Sequence, residues 1–298
     1  MIVGRCISIQ VFCHLELCAR DLFIRDWIWD LDGVGMQAPL LKIERLDVGY
    51  RAGRECKVVV GAIDATLCAG DVVALIGMNG AGKSTLLRTL SASQPPLSGR
   101  VEFSMGDVAN LSTGELAKCV SVVLTGNNFA TLTVSELVSL GRTPYTGFFG
   151  RLTTVDKAVA AAAMERMGVA HLAGRVVTTL SDGERQKCLI AKAIAQQTPL
   201  MLLDEPTAFL DFRSKVQLFR TLRTLADDAA KAVVVSTHDI EMALRFATKL
   251  WLIYDGRLYE GTAQELATDG LLQRFINGDG IVYDKENNRI EITQGGAV

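Results

Sequence analysis

Apolar positions along the chain follow a pattern of strands interleaved with helices. Residues 40–50 and 58–70 carry apolar side chains at strand spacing, with a turn between the two segments. Short continuous apolar runs at 71–77, 200–204 and 232–237 are typical of strands buried on both faces. Because helical sequence separates the last two runs, the pattern predicts an α/β fold with a βαβ sheet.

The middle of the chain has the composition of helices. Residues 133–142 and the alanine-rich residues 154–168 consist largely of strong helix formers. We therefore predict a helical subdomain at about residues 130–180.

Composition narrows the class of protein further. With 298 residues, 49% of them apolar, the chain can bury a full hydrophobic core. Its 31 basic and 33 acidic residues form no block of like charge that could follow a phosphate backbone, so we expect no nucleic-acid partner. The seven cysteines show neither zinc-site nor disulfide-framework spacing, which fits a reducing compartment. No apolar run approaches the length of about eighteen residues that spans a bilayer. If the protein acts at a membrane, another chain would have to span it.

The first chemical motif is GMNGAGKST at residues 77–85, which fits G-x-x-x-x-G-K-[ST]. Its glycines allow consecutive backbone N–H groups to point at phosphate oxygens, and the helix expected from Thr85 adds its positive N-terminal dipole. Lys83 would neutralise the β- and γ-phosphates, and the Ser84 hydroxyl would bind Mg²⁺; an ordinary glycine-rich turn would not require this pair. The predicted binding residues are Gly77, Asn79, Gly80, Ala81, Gly82, Lys83, Ser84 and Thr85.

The second motif is LMLLDEPT at residues 200–207. Its apolar run places Asp204 at the C-terminal edge of a buried strand, where open α/β sheets bind ligands. Asp204 could hold Mg²⁺ directly or through water, and Glu205 could orient or deprotonate a water that attacks the γ-phosphate. The alternative interpretation of Asp-Glu-Pro is a solvated turn after a strand, and the presence of the phosphate loop argues against it.

The third motif is LSDGERQ at residues 180–186. Ser181 and Glu184 form an S-x-x-E capping box, and apolar residues at helical spacing follow. A cap and an amphipathic helix need no ligand to explain them. Gly183 in the first turn is different, because glycine weakens a helix but allows close approach to an anion.

In this order, the three motifs together with AFLD (208–211) and STHD (236–239) resemble the ATP-binding cassette family over about residues 40–265. The resemblance implies an ATP hydrolase with ATP and Mg²⁺ as cofactors. It also implies a phosphate-loop core sheet, an antiparallel β subdomain and a helical signature subdomain. Residues 1–38 would be an N-terminal extension of uncertain status, since the chain could start at Met36 or the extension could cover part of the surface. Residues 39–265 would be the ATPase domain and 266–298 a C-terminal tail.

The same resemblance assigns roles at the site. It implies that Tyr50 stacks on adenine, that His238 contacts the γ-phosphate, and that Ser181 and Gly183 contact the γ-phosphate held by the opposite subunit of a head-to-tail homodimer. Asp211 would lie at the seam of that dimer. Taken alone, Tyr50 could be a core aromatic and His238 a strand-end histidine. The catalytic set is then Glu205, His238 and Lys83, with Ser84 and Asp204 as metal ligands.

One position departs from the family pattern. The family usually has a glutamine after the strand at 119–125, where it reaches the metal and reports the nucleotide state to a permease. This chain has Thr125, Asn127 and Asn128 near that place, and the sequence does not choose among them. The departure motivates a rival interpretation, a cassette that senses ATP with little hydrolysis.

Residues 132–156, with GRTPYTGFFG, resemble the subdomain of cassettes from importers of iron–siderophore complexes, haem and cobalamin. Another importer subclass is the alternative. Such a cassette would lie peripherally on the cytoplasmic face of the cell (inner) membrane, on an integral permease fed by an extracytoplasmic substrate-binding protein. Tyr145, Phe148 and Phe149 are either candidate contacts with that permease or buried within the subdomain.

Overall fold

The computed structural model describes residues 39–53, 55–124, 131–147, 150–228, 230–278 and 280–292. These residues belong to a unit that begins at Pro39. They form an α/β fold in which two large sheets, a two-stranded hairpin and a group of helices share three hydrophobic clusters. The predicted fold class is confirmed.

The first sheet is antiparallel and has four strands in the order β2-β1-β4-β5. Its strands are β1 (Leu41–Ala52), β2 (Glu55–Leu67), β4 (Ser98–Phe103) and β5 (Gly106–Asp107). The hairpin register places Tyr50 opposite Lys57. One face of this sheet packs on the core, which explains the alternating burial along β2.

The second sheet has six strands in the order β10-β9-β3-β8-β7-β6. They are β3 (Val72–Gly77), β6 (Val120–Val123), β7 (Leu200–Asp204), β8 (Ala232–Ser236), β9 (Lys249–Tyr254) and β10 (Arg257–Gly261). All neighbours are parallel except β10 and β9. Every residue of β3, β7 and β8 is buried, as expected for parallel strands covered on both faces.

The strand order determines which strand ends meet. β8 lies between β3 and β7, so Gly77, Ser236 and Asp204 end three neighbouring strands at the same edge of the sheet. In register, Ser236 lies opposite Asp204. Parallel α/β sheets bind ligands at this edge.

Nine α-helices lie within the described residues: α1 (Lys83–Leu90), α2 (Thr113–Cys119), α3 (Val134–Ser139), α4 (Thr154–Arg166), α5 (Asp182–Ala195), α6 (Phe212–Asp228), α7 (Ile240–Phe246), α8 (Ala263–Thr268) and α9 (Leu271–Ile276). Reciprocal capping boxes begin α2, α3, α4, α5 and α8. The capping box predicted at Ser181 and Glu184 is confirmed. Among these helices, none has the length and apolar character needed to cross a bilayer.

The helical region differs in one detail from the prediction. The helix expected over residues 133–142 ends at Ser139 and continues as a 3-10 helix over Leu140–Tyr145. Pro144 lies in that segment and has no N–H to donate to an α-helical hydrogen bond. A Cβ atom at Gly141 would lie 2.3 Å from the carbonyl oxygen of Lys192, so only glycine permits this approach to α5.

The C-terminal residues add to the same core. The predicted boundary between residues 265 and 266 falls inside α8. After α9, strands β11 (Ile281–Asp284) and β12 (Arg289–Ile292) form a two-stranded hairpin. Tyr283 of this hairpin is buried in one cluster with Ile76 and Leu252 of the six-stranded sheet.

A buried arginine joins three helical elements. Arg142 Nε donates to Asp156 Oδ1 at 3.0 Å, and Nη1 donates to the carbonyl oxygen of Ala195 at 2.9 Å and to Gln197 Oε1 at 2.8 Å. Its guanidinium lies 4.2 Å from the centroid of the Tyr145 ring. Both side chains of the Arg142–Asp156 pair are almost fully buried. Arg142 therefore ties the 3-10 segment to α4 and to the end of α5.

Replacing Arg142 with methionine should lower the free energy of unfolding by about 3–5 kcal/mol, because the Asp156 carboxylate would remain buried without its cation. Urea unfolding monitored by circular dichroism measures the loss. The control is Arg166→Met, whose ion pair with Asp228 is exposed and should contribute less than about 1 kcal/mol. Equal losses in the two variants would contradict this account.

The pKa of Asp156 adds a pH dependence to this prediction. The Thr153 hydroxyl lowers that pKa, burial opposes the shift, and Arg142 lowers it further. A carboxyl whose pKa is lowered by folding stabilises the fold above its unfolded pKa of about 3.9. This contribution disappears as the pH falls through the folded pKa, so the deficit of Arg142→Met should shrink below about pH 4.

Candidate active site

A cavity of about 500 Å³ opens at the shared edge of β3, β8 and β7. Residues from the β1–β2 hairpin, the loop after β3, helix α1 and the ends of β7 and β8 surround it. They are Tyr50, Lys57, Val58, Val59, Asn79, Gly80, Gly82, Lys83, Ser84, Thr85, Glu205 and His238. Nine of these twelve are residues that the sequence predicted for the site, so the fold brings most of the predicted set together.

The loop after β3 has the backbone of a phosphate loop. Gly80 and Gly82 have φ angles of 76° and 107°, values that glycine adopts without strain. Helix α1 begins at Lys83, so the predicted start at Thr85 is wrong by two residues. The helix starts earlier because Gly82, in a left-handed conformation, is its N-cap. Gly77 and Ala81 complete the loop without lining the cavity.

Lys83 lies inside this loop. Its side chain is held by the loop backbone, since Nζ donates to the carbonyl oxygens of Gly77 at 2.8 Å and Met78 at 3.1 Å. Burial lowers the pKa of Lys83, while Glu205 and Asp204 act in the opposite direction. The residue thus places a cation beside the loop's N–H groups, and an anion with several oxygens fits this arrangement.

Tyr50 lies at the other side of the cavity, near the end of β1. It is 49% exposed, and its hydroxyl is 2.8 Å from Thr85 Oγ1 on α1. The exposed ring is therefore anchored at one end beside the phosphate loop. This position permits the stacking on adenine that the family resemblance implies.

The ends of β7 and β8 hold the acidic part of the site. Asp204 is 1% exposed, and Ser236 Oγ donates to its Oδ1 at 2.7 Å. Glu205 has a φ of 48°, which non-glycine residues rarely adopt, and its N–H donates to Ser236 Oγ at 2.9 Å. The predicted position of Asp204 at the end of a buried strand is confirmed.

Glu205 and His238 are in direct contact through Oε1 and Nε2. Both side chains are partly exposed to the cavity. A carboxylate and an imidazole on neighbouring loops can together hold and move a proton at one place. Lys83 lines the same cavity, so cationic and proton-accepting groups share one space.

Gly77, Ala81 and Asp204 lie close in sequence to lining residues without lining the cavity themselves, and three further predicted residues lie elsewhere in the chain. Ser181, Gly183 and Asp211 do not line the cavity. Ser181 caps α5, and Asp211 Oδ1 accepts a hydrogen bond from the Ser214 N–H at 2.7 Å. A Cβ at Gly183 would lie 3.0 Å from the carbonyl oxygen of Phe209, so glycine here also serves packing against the 208–211 segment. Ser181 and Asp211 are exposed, and Gly183 is partly buried.

Four residues near the site were not predicted from the sequence. Lys57, Val58 and Val59 enter the cavity because the β1–β2 register brings them beside Tyr50. The predicted turn between the two strands indicates that they pair, but it does not give the register that places these residues beside Tyr50. Ser236 was visible only as the first residue of STHD, without an assigned role. Thr125, Asn127 and Asn128, and likewise Phe148 and Phe149, lie outside the described residues.

A phosphate loop followed by a helix, with an acidic strand end beside it in a parallel sheet, defines a P-loop ATPase. Residues 60–208 match the model of the ABC transporter family. The iron(3+)-hydroxamate import ATP-binding protein FhuC of Bacillus subtilis is 35% identical over 252 residues, which cover 84% of this chain and 92% of FhuC. The chain belongs to the ABC transporter family, as one of its ATP-hydrolysing cassettes.

Two further similarities bear on the site. The cobalamin import ATP-binding protein BtuD of Halobacterium salinarum is 39% identical over 224 residues, covering 75% of this chain and 55% of BtuD. The dimeric structure of a post-hydrolysis state of the ATP-binding cassette MJ0796, bound to ADP and Pi, superposes with a TM-score of 0.66 at 26% identity. That alignment covers 74% of this chain and 98% of MJ0796.

Proposed function

We propose that this chain is the ATP-hydrolysing subunit of an importer for an iron complex, either a siderophore or haem, or for cobalamin, with transport through a separate permease. The contact between Glu205 and His238 in one cavity with Lys83 carries the enzymatic part of the proposal. The family membership and the names of FhuC and BtuD support the importer part.

The residues present fit ATP with Mg²⁺. Mg²⁺ at nucleotide sites usually takes one or two protein ligands and completes its shell with phosphate oxygens and water. Ser84 in the phosphate loop and Asp204 at the end of β7 are the proposed ligands. Bound there, Mg²⁺ would neutralise phosphate charge.

Hydrolysis would follow from the side chains of the cavity. The loop N–H groups and Lys83 hold the β- and γ-phosphates, and Tyr50 stacks on the base. Glu205 orients a water and accepts its proton, while His238 holds the Glu205 carboxylate and contacts the γ-phosphate. Negative charge that develops on the phosphate is stabilised by Lys83.

Two copies of the chain would complete each site. Ser181, Gly183 and Asp211 are separate from the cavity of their own chain, as expected if they serve the site of a partner in a head-to-tail homodimer. Two exposed aromatic side chains, Phe209 at 60% and Phe212 at 69%, flank Asp211 and could be covered in such a dimer. The dimeric MJ0796 cassette with ADP and Pi supports this arrangement.

The cargo would be handled by other subunits. An integral permease would carry the chelate or cobalamin, an extracytoplasmic binding protein would deliver it, and this chain would dock on the cytoplasmic face. Tyr145 is 39% exposed, and its hydroxyl donates to the carbonyl oxygen of Gln196 at 3.0 Å. This anchored ring is a candidate contact with the permease.

The transport test uses a strain that lacks this gene. The strain should grow poorly when iron is supplied only as a ferric siderophore or haem, or when cobalamin is limiting, and the wild-type gene should restore growth. Normal growth in all these media, with a defect in the uptake of an unrelated solute, would contradict the importer subclass. ATPase assays in detergent with and without the permease test the enzyme separately, because an inactive cassette would favour the ATP-sensing alternative.

A further inference from the structure

Ser236 lies in the middle of the sheet edge where β3, β8 and β7 end, but it does not line the cavity. It is the last residue of β8 and is completely buried. β8 lies between the strand that leads into the phosphate loop and the strand that ends at Asp204. Ser236 pairs with Asp204 on one side and with Leu75 on the other. Its hydroxyl therefore lies behind the cavity wall, next to Asp204, which is almost fully buried and does not line the cavity either.

That hydroxyl bonds to two successive residues of β7 and its following loop. It donates to Asp204 Oδ1 at 2.7 Å and accepts the N–H of Glu205 at 2.9 Å. A serine hydroxyl has one hydrogen to donate, and here that hydrogen goes to the Asp204 carboxylate. One buried atom thus links the proposed metal ligand to the proposed general base.

The bond to Asp204 fixes the orientation of its carboxylate. A ligating carboxylate needs one oxygen directed at the metal, and a hydrogen bond to the other oxygen prevents rotation about the Cβ–Cγ bond. The same hydrogen bond gives the buried carboxylate of Asp204 a donor from the protein. Removing the hydroxyl would leave the buried Asp204 carboxylate without this donor.

The bond to Glu205 holds an unusual backbone. The φ of 48° lies in the left-handed region, and Pro206 restricts the preceding residue further. Such a conformation persists only where the surroundings enforce it, and Ser236 accepts the N–H of this very residue. With this backbone conformation the Glu205 carboxylate contacts His238, and we expect a relaxed backbone to move the carboxylate away.

We propose that Ser236 is a positioning residue that sets Asp204 for the metal and Glu205 for the attacking water through one buried hydroxyl. The inference rests on the proposed function. A merely structural serine would stabilise β8 without affecting either carboxylate.

The chain offers a matched control for this distinction. Ser121 is a completely buried serine on β6 in the same sheet. Its Oγ is hydrogen-bonded to Thr198 Oγ1 at 2.9 Å, and neither residue lines the cavity. Ser121→Ala therefore removes a buried hydroxyl of the same kind at a place remote from the carboxylates.

The experiment compares Ser236→Ala, Ser236→Thr and Ser121→Ala in the full chain. Mn²⁺ binding is followed by electron paramagnetic resonance with a non-hydrolysable ATP analogue, and kcat and KM are measured with Mg²⁺-ATP. Ser236→Ala should lose about 10- to 100-fold in Mn²⁺ affinity and in kcat, the usual effect of removing a partner of a metal ligand. Metal-free binding of a fluorescent ATP analogue should be unchanged. Ser236→Thr keeps the hydroxyl and should restore both quantities, and Ser121→Ala should match the wild type in both.

The outcomes separate this inference from the proposed function. If the wild type hydrolyses ATP and Ser236→Ala retains full Mn²⁺ affinity and kcat, the positioning role is wrong and the ATPase assignment stands. If the wild type does not hydrolyse ATP, the proposed function itself fails. Should Ser236→Ala not fold, Ser236→Cys replaces the oxygen with a weakly bonding sulfur, and full Mn²⁺ affinity in that variant would equally overturn the inference.

Discussion

Replacing Lys83 with alanine should weaken ATP binding by at least about 30-fold, which corresponds to about 2 kcal/mol for truncating one partner of a buried charge pair. Lys83 as a residue is 6% exposed, and its ammonium is already held at the phosphate loop by the carbonyl oxygens of Gly77 and Met78. Because the Lys83 side chain is already held in place, it loses little conformational entropy when ATP binds. Without Lys83, bound β- and γ-phosphates would lose the cation that the phosphate loop places beside them while staying partly desolvated.

Titration with a fluorescent ATP analogue measures this loss. Arg88→Ala is the matched control, because Arg88 is an exposed cation in the last turn of the same helix α1. Its removal should leave the affinity unchanged. If Lys83→Ala and Arg88→Ala bind equally well, then Lys83 does not contact the phosphates.

Local motifs account for the part of the site that the sequence predicts. The phosphate loop and the Asp204–Glu205 pair each follow a continuous apolar run, and a buried parallel strand is the element that such a run forms. The capping box at Ser181 and Glu184 is equally local, since both hydrogen bonds lie within one turn. Motifs that span a few residues are visible without knowledge of the fold.

Tertiary placement explains what the sequence prediction lacked. Ser236 gains its contacts from the strand order β3-β8-β7, and Lys57 enters the cavity through the register of a hairpin. Arg142 belongs to the GRTPYTGFFG element that suggested an importer subclass, yet its partners Asp156 and Gln197 lie on separate elements. No spacing rule along the chain connects such pairs.

Backbone conformation explains two other differences. The helix predicted from Thr85 starts at Lys83, because the left-handed Gly82 already ends the loop. The helix expected through residue 142 changes to a 3-10 helix after Ser139, ahead of Pro144. Helix propensity predicts that a helix exists, but caps and proline decide where it begins and ends.

The second large effect is expected at Glu205. Glu205→Gln should lower kcat by about 100- to 10,000-fold, the usual contribution of general acid–base catalysis, while ATP affinity stays near that of the wild type. Glutamine has almost the same shape as glutamate, so the cavity and the phosphate loop remain intact. The amide cannot accept the proton of an attacking water, and hydrolysis is therefore the step that stops.

The same substitution should trap the proposed dimer. If two chains close on bound ATP and separate after hydrolysis, a variant that binds but does not hydrolyse ATP stays closed. Size-exclusion chromatography with light scattering should show a monomer without nucleotide and a dimer with Mg²⁺-ATP, whereas the wild type under turnover should return to the monomer.

Glu241→Gln provides the matched control for charge. Glu241 is an exposed carboxylate on α7, three residues after His238, and it lines a neighbouring cleft rather than the nucleotide cavity. Losing its charge should leave turnover and assembly unchanged, which separates the loss of a proton acceptor from a general loss of negative charge near His238.

Equal turnover in Glu205→Gln and the wild type would remove Glu205 from catalysis. If Glu205→Gln is inactive but remains monomeric with ATP, the assignment of Glu205 as general base stands. The closed dimer would then be rejected as the state in which hydrolysis occurs.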